Sequence, residues 1–381
     1  MKTIRILALH LAYGGVEKAI VNMANLFVEK YDVEIICVYN MPGSPAFPLD
    51  SRVKLRYLLD EVPNREQWKD ALHRKAPADF VRESIKSVRV LLGKKLAVIN
   101  TVKSIHDGIL ITTRHEDNLV LSKYGDKNVL KIAQLHHDHN FMRKYVRAFE
   151  RDYGNIDVFA LLGRKLRDEV RSFMKNNTHT RVIHIPNFLE SIPEHVDLEA
   201  KEKVVIAVGR LEAVKGFSRL ISMFVKVHDH APGWELHIVG EGSERGRLET
   251  MIADNDAGDY IKLLGMLDSK IVEEKMKSAS IYAMTSLSEG LPFVIIEAQT
   301  CLLPTVAFDV RVGPGVLLEN EKTGFLVADG DEDAYIERLL QLIKSKELRT
   351  RMGTEARRNS LFYSRENVAD IWFSVLEEKN D

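Results

Sequence analysis

The run Val204-Val205-Ile206-Ala207-Val208 leads straight into Gly209-Arg210-Leu211-Glu212-Ala213-Val214-Lys215-Gly216. Consecutive apolar, mostly β-branched residues that stop at a glycine read as a strand buried on both faces. The loop behind it is bracketed by Gly209 and Gly216, and from Ser218 to His228 the spacing becomes helical. The alternation repeats as strand Trp234–Val239, helix Ser243–Ala253, strand Tyr260–Leu264 and helix Asp268–Lys277. Strand Ser280–Met284 and helix Phe293–Thr300 continue it. Strands alternating with helices call for a parallel sheet with helices on both faces.

The chain opens in the same way. Ile4 to Leu9 forms a strand that runs into Gly14-Gly15, and Val16, Ala19, Ile20, Met23, Ala24 and Phe27 follow at helical spacing. A leader peptide is the poorer reading, because His10 interrupts the apolar run and no small-x-small cleavage site follows. Val33–Val38 is the next strand, and further strands are expected at 108–112, 129–135, 157–161 and 181–185. After Pro186-Asn187 comes a polar, acidic stretch from Glu190 to Lys203, which reads as a linker. The expected fold is therefore α/β, with two doubly wound parallel sheets. The first occupies residues 1–187, the linker 188–203, and the second 204–360. Residues 361–381 form a terminal helix.

Composition narrows the function classes. Of 381 residues, 45% are hydrophobic and 29% charged, which excludes a disordered tail, a collagen and a coiled-coil rod. Two cysteines, Cys37 and Cys301, exclude a disulfide scaffold and a cysteine-rich zinc site. The net charge of −1 hides a split: residues 1–187 hold 31 Lys+Arg against 21 Asp+Glu, so the rest of the chain is acidic. Two surfaces of opposite sign fit two domains. No aromatic interleaving or recognition motif accompanies the positive charge, so nucleic acid is not an expected partner.

Three loops carry candidate chemistry. Gly14-Gly15 lies between a strand and a helix, where backbone can approach an anion or a sugar hydroxyl; a plain tight turn fits equally well. Arg210 and Lys215 leave a strand end within one loop and could hold a diphosphate, Arg as a planar fork and Lys as a point charge. Two solvated surface cations are the plainer alternative. Most informative is Ser286-Leu287-Ser288-Glu289-Gly290-Leu291-Pro292-Phe293-Val294-Ile295-Ile296-Glu297. Pro292 suits the start of a helix whose first amides, at Phe293 and Val294, could receive phosphate oxygens. Glu289 in the turn and Glu297 inside the helix should then face sugar hydroxyls, since carboxylates repel phosphate. Two ordinary helix glutamates would show the same spacing.

Taken jointly, these residues resemble a known family. Gly209-Arg210-Leu211 with Lys215-Gly216, then Val239-Gly240-Glu241-Gly242, Gly265, and Ser288-Glu289-Gly290-Leu291-Pro292 with Glu297-Ala298 are similar in order and spacing to family 4 of the retaining GT-B glycosyltransferases. The resemblance implies two Rossmann-like domains facing across a cleft. It also implies transfer of a hexose or N-acetylhexosamine from a nucleotide diphosphate sugar, UDP ahead of GDP, with retained configuration and without metal or cofactor. Arg210 and Lys215 would neutralise the departing diphosphate, Glu289 would act at the donor sugar, and Glu297 would grip the ribose. Gly265 and Met266 would line the base, with Gly14, Gly15, Gly209, Gly290, Leu291, Pro292, Phe293 and Val294 completing the donor site. The family's first-domain histidine falls in Gln134-Leu135-His136-His137-Asp138-His139, with His136 the first candidate and His139 the second. A metal cluster there is disfavoured, because adjacent residues of a strand point to opposite faces.

The first domain is the acceptor side in the family resembled, which makes a glycan, lipid-linked or anionic polymer acceptor the expected partner. Val81, Ile85, Val88, Leu91 and Leu92 form an apolar stripe beside Arg82, Lys86, Arg89, Lys94 and Lys95. A core-facing surface helix explains this pattern; so does a helix drawn to an acceptor or to an anionic membrane. The enzyme is accordingly expected in the cytoplasm, at the inner face of the cell membrane. Two rivals share the scaffold: a nucleotide-sugar epimerase, and a non-catalytic nucleotide-sugar-binding partner. In the resembled fold the last helix crosses back to the first domain, here anchored by Trp372 and Phe373, with docking on its own domain as the alternative.

Overall fold

The computed structural model describes residues 2–377. They divide into two compact units. The first runs to Ile185 and also takes in Val375–Glu377; the second is Pro186–Ser374.

The first unit is built on a seven-stranded parallel sheet of β1 (Thr3–Ala8), β2 (Asp32–Tyr39), β3 (Lys54–Leu59), β4 (Ile109–Thr112), β5 (Leu130–Leu135), β6 (Val158–Leu161) and β7 (Arg181–His184). Their order is β3-β2-β1-β4-β5-β6-β7. Ile4, Ile6, Leu7 and Ala8 of β1 are wholly buried between β2 and β4, which is why the strand reads as an unbroken apolar run. Edge strand β3, with Lys54 and Arg56, was not expected from the sequence. Its residues are largely half-exposed and carry no such run.

The second unit holds a six-stranded parallel sheet of β8 (Val204–Val208), β9 (Glu235–Val239), β10 (Ile261–Gly265), β11 (Ile281–Met284), β12 (Thr305–Asp309) and β13 (Gly324–Ala328). The order is β10-β9-β8-β11-β12-β13. Helix Phe217–His230 packs Leu220, Phe224 and Val227 into a core shared with Ile238, Phe308, Tyr335 and Leu339. The acidic stretch expected as a linker packs on this unit. The Arg357 guanidinium donates to the carbonyls of Pro193 and Glu194, and Lys201 Nζ to that of Cys301 at 2.8 Å. The unit boundary accordingly falls at Ile185/Pro186, two residues before the expected position.

Helix Pro77–Ser104 overturns the core-facing reading of its stripe. Val90, Val98, Thr101 and Val102 face inward. Val81, Ile85, Val88, Leu91 and Leu92 are each between 56 and 66% exposed. Among the described residues no helix is long and apolar enough to cross a membrane. At the chain's end, helix Arg365–Glu377 buries Trp372, Val375 and Leu376, and Glu377 pairs with Lys30 at 3.3 Å.

Candidate active site

In an open parallel sheet, ligands settle at the strand carboxyl ends where the strand order reverses. The second sheet reverses between β8 and β11. Loop 209–216 follows β8 and loop 285–292 follows β11, so the two most informative stretches of sequence meet at one point. Hydrogen bonds join them: Leu287 N donates to Val214 O at 2.7 Å, and the Thr285 hydroxyl to Gly216 O at 3.0 Å. Gly216 has φ +65°, and a Cβ there would overlap the Thr285 carbonyl oxygen. The loop after β9 closes in as well. A Cβ at Gly240, φ +143°, would overlap Gly209 O, and one at Gly242 would overlap Leu211 O. Three of the motif glycines are thus explained by backbone meeting backbone.

Within this frame Lys215 Nζ donates to Glu289 Oε1 at 2.6 Å, with the two side chains 20 and 9% exposed. Arg210 is exposed, and among the described residues its guanidinium has neither a hydrogen-bond nor an ion-pair partner. Glu297 lies half-buried on helix Phe293–Thr300, whose N-cap is Pro292. Buried Tyr282 reports on both carboxylates. Its pKa is raised well above the ordinary 10, first by burial and then by the charges of Glu289 and Glu297. Gly290 and buried Leu291 lie in the same turn, and the Asn187 amide donates to Leu291 O at 3.1 Å. Gly265, φ +74°, ends β10, and exposed Met266 follows it.

Two supports escaped the sequence reading. Arg219 donates from Nε to Thr285 O at 2.7 Å, from Nη2 to Ser286 O at 2.9 Å and from Nη1 to Asp329 Oδ1 at 2.8 Å. Its guanidinium also stacks 4.0 Å from the Phe308 ring centroid, so it clamps the start of the 285–292 loop. In sequence it is only one arginine on a helix. Gly313, φ +108°, would place a Cβ 2.7 Å from Glu289 Cβ, and the Gly313-Pro314 pair was its one available signal.

In the first unit, Gly14 caps helix Gly15–Phe27 in an extended conformation open to any residue. What a side chain there would meet is the Glu17 carboxylate. His136 leaves the carboxyl end of β5 and is buried, and burial pushes its pKa down to about 4. Its Nε2 lies 3.2 Å from Gln134 Oε1, so the imidazole is neutral and donates there. His137 Nε2 lies instead 2.8 Å from the Tyr145 hydroxyl. His139 does not suit acceptor contact. It is fully buried among Phe141, Phe149 and Phe173, takes the Phe141 N–H on Nδ1 at 3.1 Å and turns Nε2 to Glu169 at 3.1 Å. Aromatic enclosure makes it part of the packing. Arg82, Lys86 and Arg89 stand exposed on helix Pro77–Ser104, Arg82 paired with Asp79 at 3.1 Å and Arg89 with Glu61 at 3.3 Å.

Residues 190–359, which include all the second-unit loops just described, match the family model described as glycosyl transferases group 1. The match spans 170 of the 381 residues, all of them within the second unit. The chain is 25% identical over 404 residues to the amylovoran biosynthesis glycosyltransferase AmsD of Erwinia amylovora, an alignment covering 95% of this chain and 96% of that one. It is also 25% identical over 377 residues to an exopolysaccharide phosphotransferase of Streptomyces coelicolor; there the alignment covers 96% of this chain but only 39% of the relative. Among solved structures, TarM of S. aureus, in complex with fondaparinux, alpha-GlcNAc-glycerol and UDP, superposes with TM-score 0.77 at 17% identity. That match covers 99% of this chain and all of that one. The two parallel-sheet units are thus those of the GT-B fold.

Proposed function

We propose that the protein is a retaining, metal-independent transferase. It moves a hexose or N-acetylhexosamine from a UDP-sugar to a glycan or lipid-linked acceptor in cell-surface polysaccharide synthesis, working at the inner face of the cell membrane. The observation that carries this reading is the Lys215–Glu289 pair at the β8/β11 reversal, with exposed Arg210 on the same loop as Lys215. Fixed cations aimed at a departing diphosphate supply the main stabilisation of such a transition state. Arg210 and Lys215 take that role, Glu289 the donor-sugar hydroxyls, Glu297 the ribose, and Gly265-Met266 the base. From the first unit His136, neutral and held by Gln134, is assigned to the sugar's reacting centre, and Gly14-Gly15 to the donor. The acceptor hydroxyl oxygen bonds to the anomeric carbon as that carbon's bond to the phosphate oxygen breaks, and the hydroxyl proton passes to the leaving phosphate, so no strong protein base is required. The UDP bound to TarM and the amylovoran role of AmsD support the choices of nucleotide and product.

The test is turnover across a panel of UDP- and GDP-sugars, with and without chelator, the product's anomeric configuration being read by proton NMR. Chelator-insensitive transfer with retention is expected from one UDP-sugar. Solvent-proton exchange into the donor's sugar ring without an acceptor would replace this reading with an epimerase.

A further inference from the structure

We infer that the outward face of helix Pro77–Ser104 is a docking surface for an anionic lipid bilayer. This deepens the membrane location proposed above and rests on it. The helix has two apolar faces, which is one more than a surface helix of a folded unit needs. Val90, Val98 and Val102 already bind it to its own unit. The other face presents Val81, Ile85, Val88, Leu91, Leu92 and Leu96 to water. From 81 to 96 at 1.5 Å per residue, this stripe runs about 22 Å along the surface. A contiguous exposed stripe of this kind marks an interaction site.

The charges beside it choose the occupant. Lys86 and Lys95 are exposed next to the stripe, and among the described residues neither has an ion-pair partner. Arg82 and Arg89 add two more exposed guanidinium groups, paired with Asp79 and Glu61, and the helix's own acidic residues, Asp79 and Glu83, lie at its amino-terminal end. Between Glu61 and Ser104 the sequence has ten Lys+Arg against five Asp+Glu. A soluble polyanion would engage the cations and leave six large apolar side chains in water. A second copy laid antiparallel against the stripe would bring the two Arg89 side chains together near the two-fold axis and set Arg82 of each copy opposite Lys95 of the other. An anionic bilayer satisfies both features, with apolar side chains at the acyl boundary and lysine and arginine at the headgroups. The helix then lies in the plane of the interface, in keeping with the absence of a membrane-crossing helix among the described residues.

The experiment is vesicle flotation of the full chain with phosphatidylcholine alone and with phosphatidylcholine mixed with phosphatidylglycerol, at low and raised salt. Each cation near an anionic surface contributes on the order of fivefold in affinity. The unaltered protein should therefore bind the anionic vesicles at least about tenfold more tightly, and less so in salt. Ile85→Glu/Leu92→Glu should cut that binding by about tenfold or more. Because both positions are exposed, circular dichroism and donor hydrolysis should not change. Lys86→Glu/Lys95→Glu should remove the preference for anionic vesicles. Equal binding to both vesicle types, no binding to either, or full binding by Ile85→Glu/Leu92→Glu would overturn the inference. A dimer that this same variant turns into a monomer would also overturn it, assigning the face to a second copy. Vesicle binding needs no donor, so lost transfer with retained flotation would count against the transferase reading alone.

Discussion

Lys215 and Glu289 lie 74 residues apart in the chain and form an ion pair of 2.6 Å between the loops after β8 and β11. Each group therefore sets the charge the other presents to a ligand. In Lys215→Ala, a carboxylate that is 9% exposed loses its counter-charge and faces the donor's diphosphate with like sign. We expect kcat/KM for the donor to fall about 10²–10³-fold. Glu289→Gln should leave donor binding close to normal and lower kcat. Initial rates against donor concentration separate the two; similar losses in kcat alone would count against the assigned roles.

Gly240 and Gly246 make a controlled pair. Gly240→Ala drives a Cβ into Gly209 O at a backbone angle that L side chains avoid, whereas Gly246 is helical with open space around it. Gly240→Ala should cost about 2–4 kcal/mol and weaken donor binding. Gly246→Ala should stabilise by up to about 1 kcal/mol. Thermal unfolding of the two variants decides, and equal melting temperatures would refute the close-approach argument.

His136 gives a pH signature with a fixed sign. Its pKa in the fold is about 4 against an ordinary 6.5, so the unfolded chain binds the proton first. The stability due to the neutral buried ring is present above pH 6.5 and is lost as pH falls toward 4. The full difference is about 3 kcal/mol. His136→Asn should flatten the stability curve over that window, as read by urea unfolding at a series of pH values. An unchanged slope would mean that the ring is not held neutral.

Arg219 should behave as a positioning residue. Arg219→Lys cannot serve the Thr285 and Ser286 carbonyls and Asp329 together with one planar fork, so it should not rescue Arg219→Ala. Both variants should lose about 2–3 kcal/mol of stability. Both should also raise donor KM more than they lower kcat, because the loop holding Glu289 loosens. A pure loss of stability with unchanged KM would make Arg219 a packing residue only.

What could be read from the sequence was set by burial. β8 and β11 are sealed on both faces and so appear as apolar runs, and Gly216, Gly240 and Gly242 mark backbone contacts that no side chain permits. Edge strand β3 has no such signature, since Lys54 and Arg56 meet water. Periodicity places Ile85 and Leu92 on one helix face, yet a face turned to the core and a face turned outward share that periodicity, so only the structure separates them. His139 next to His136 looked like site chemistry. Phe149 and Phe173, distant in sequence, are what make it packing. The Lys215–Glu289 pair depends on strand order, which composition and spacing do not encode.

The first unit also takes in Val375–Glu377, after the whole of Pro186–Ser374. During synthesis all seven strands of its sheet therefore exist long before Val375, Leu376 and Glu377 do. At about 5–20 residues per second the gap is roughly ten to forty seconds. Over that interval the strands of the second sheet emerge one after another while Lys30 waits for Glu377. A nascent chain stalled after Ala328 would hold every strand of both sheets while the first unit still lacks Val375, Leu376 and Glu377.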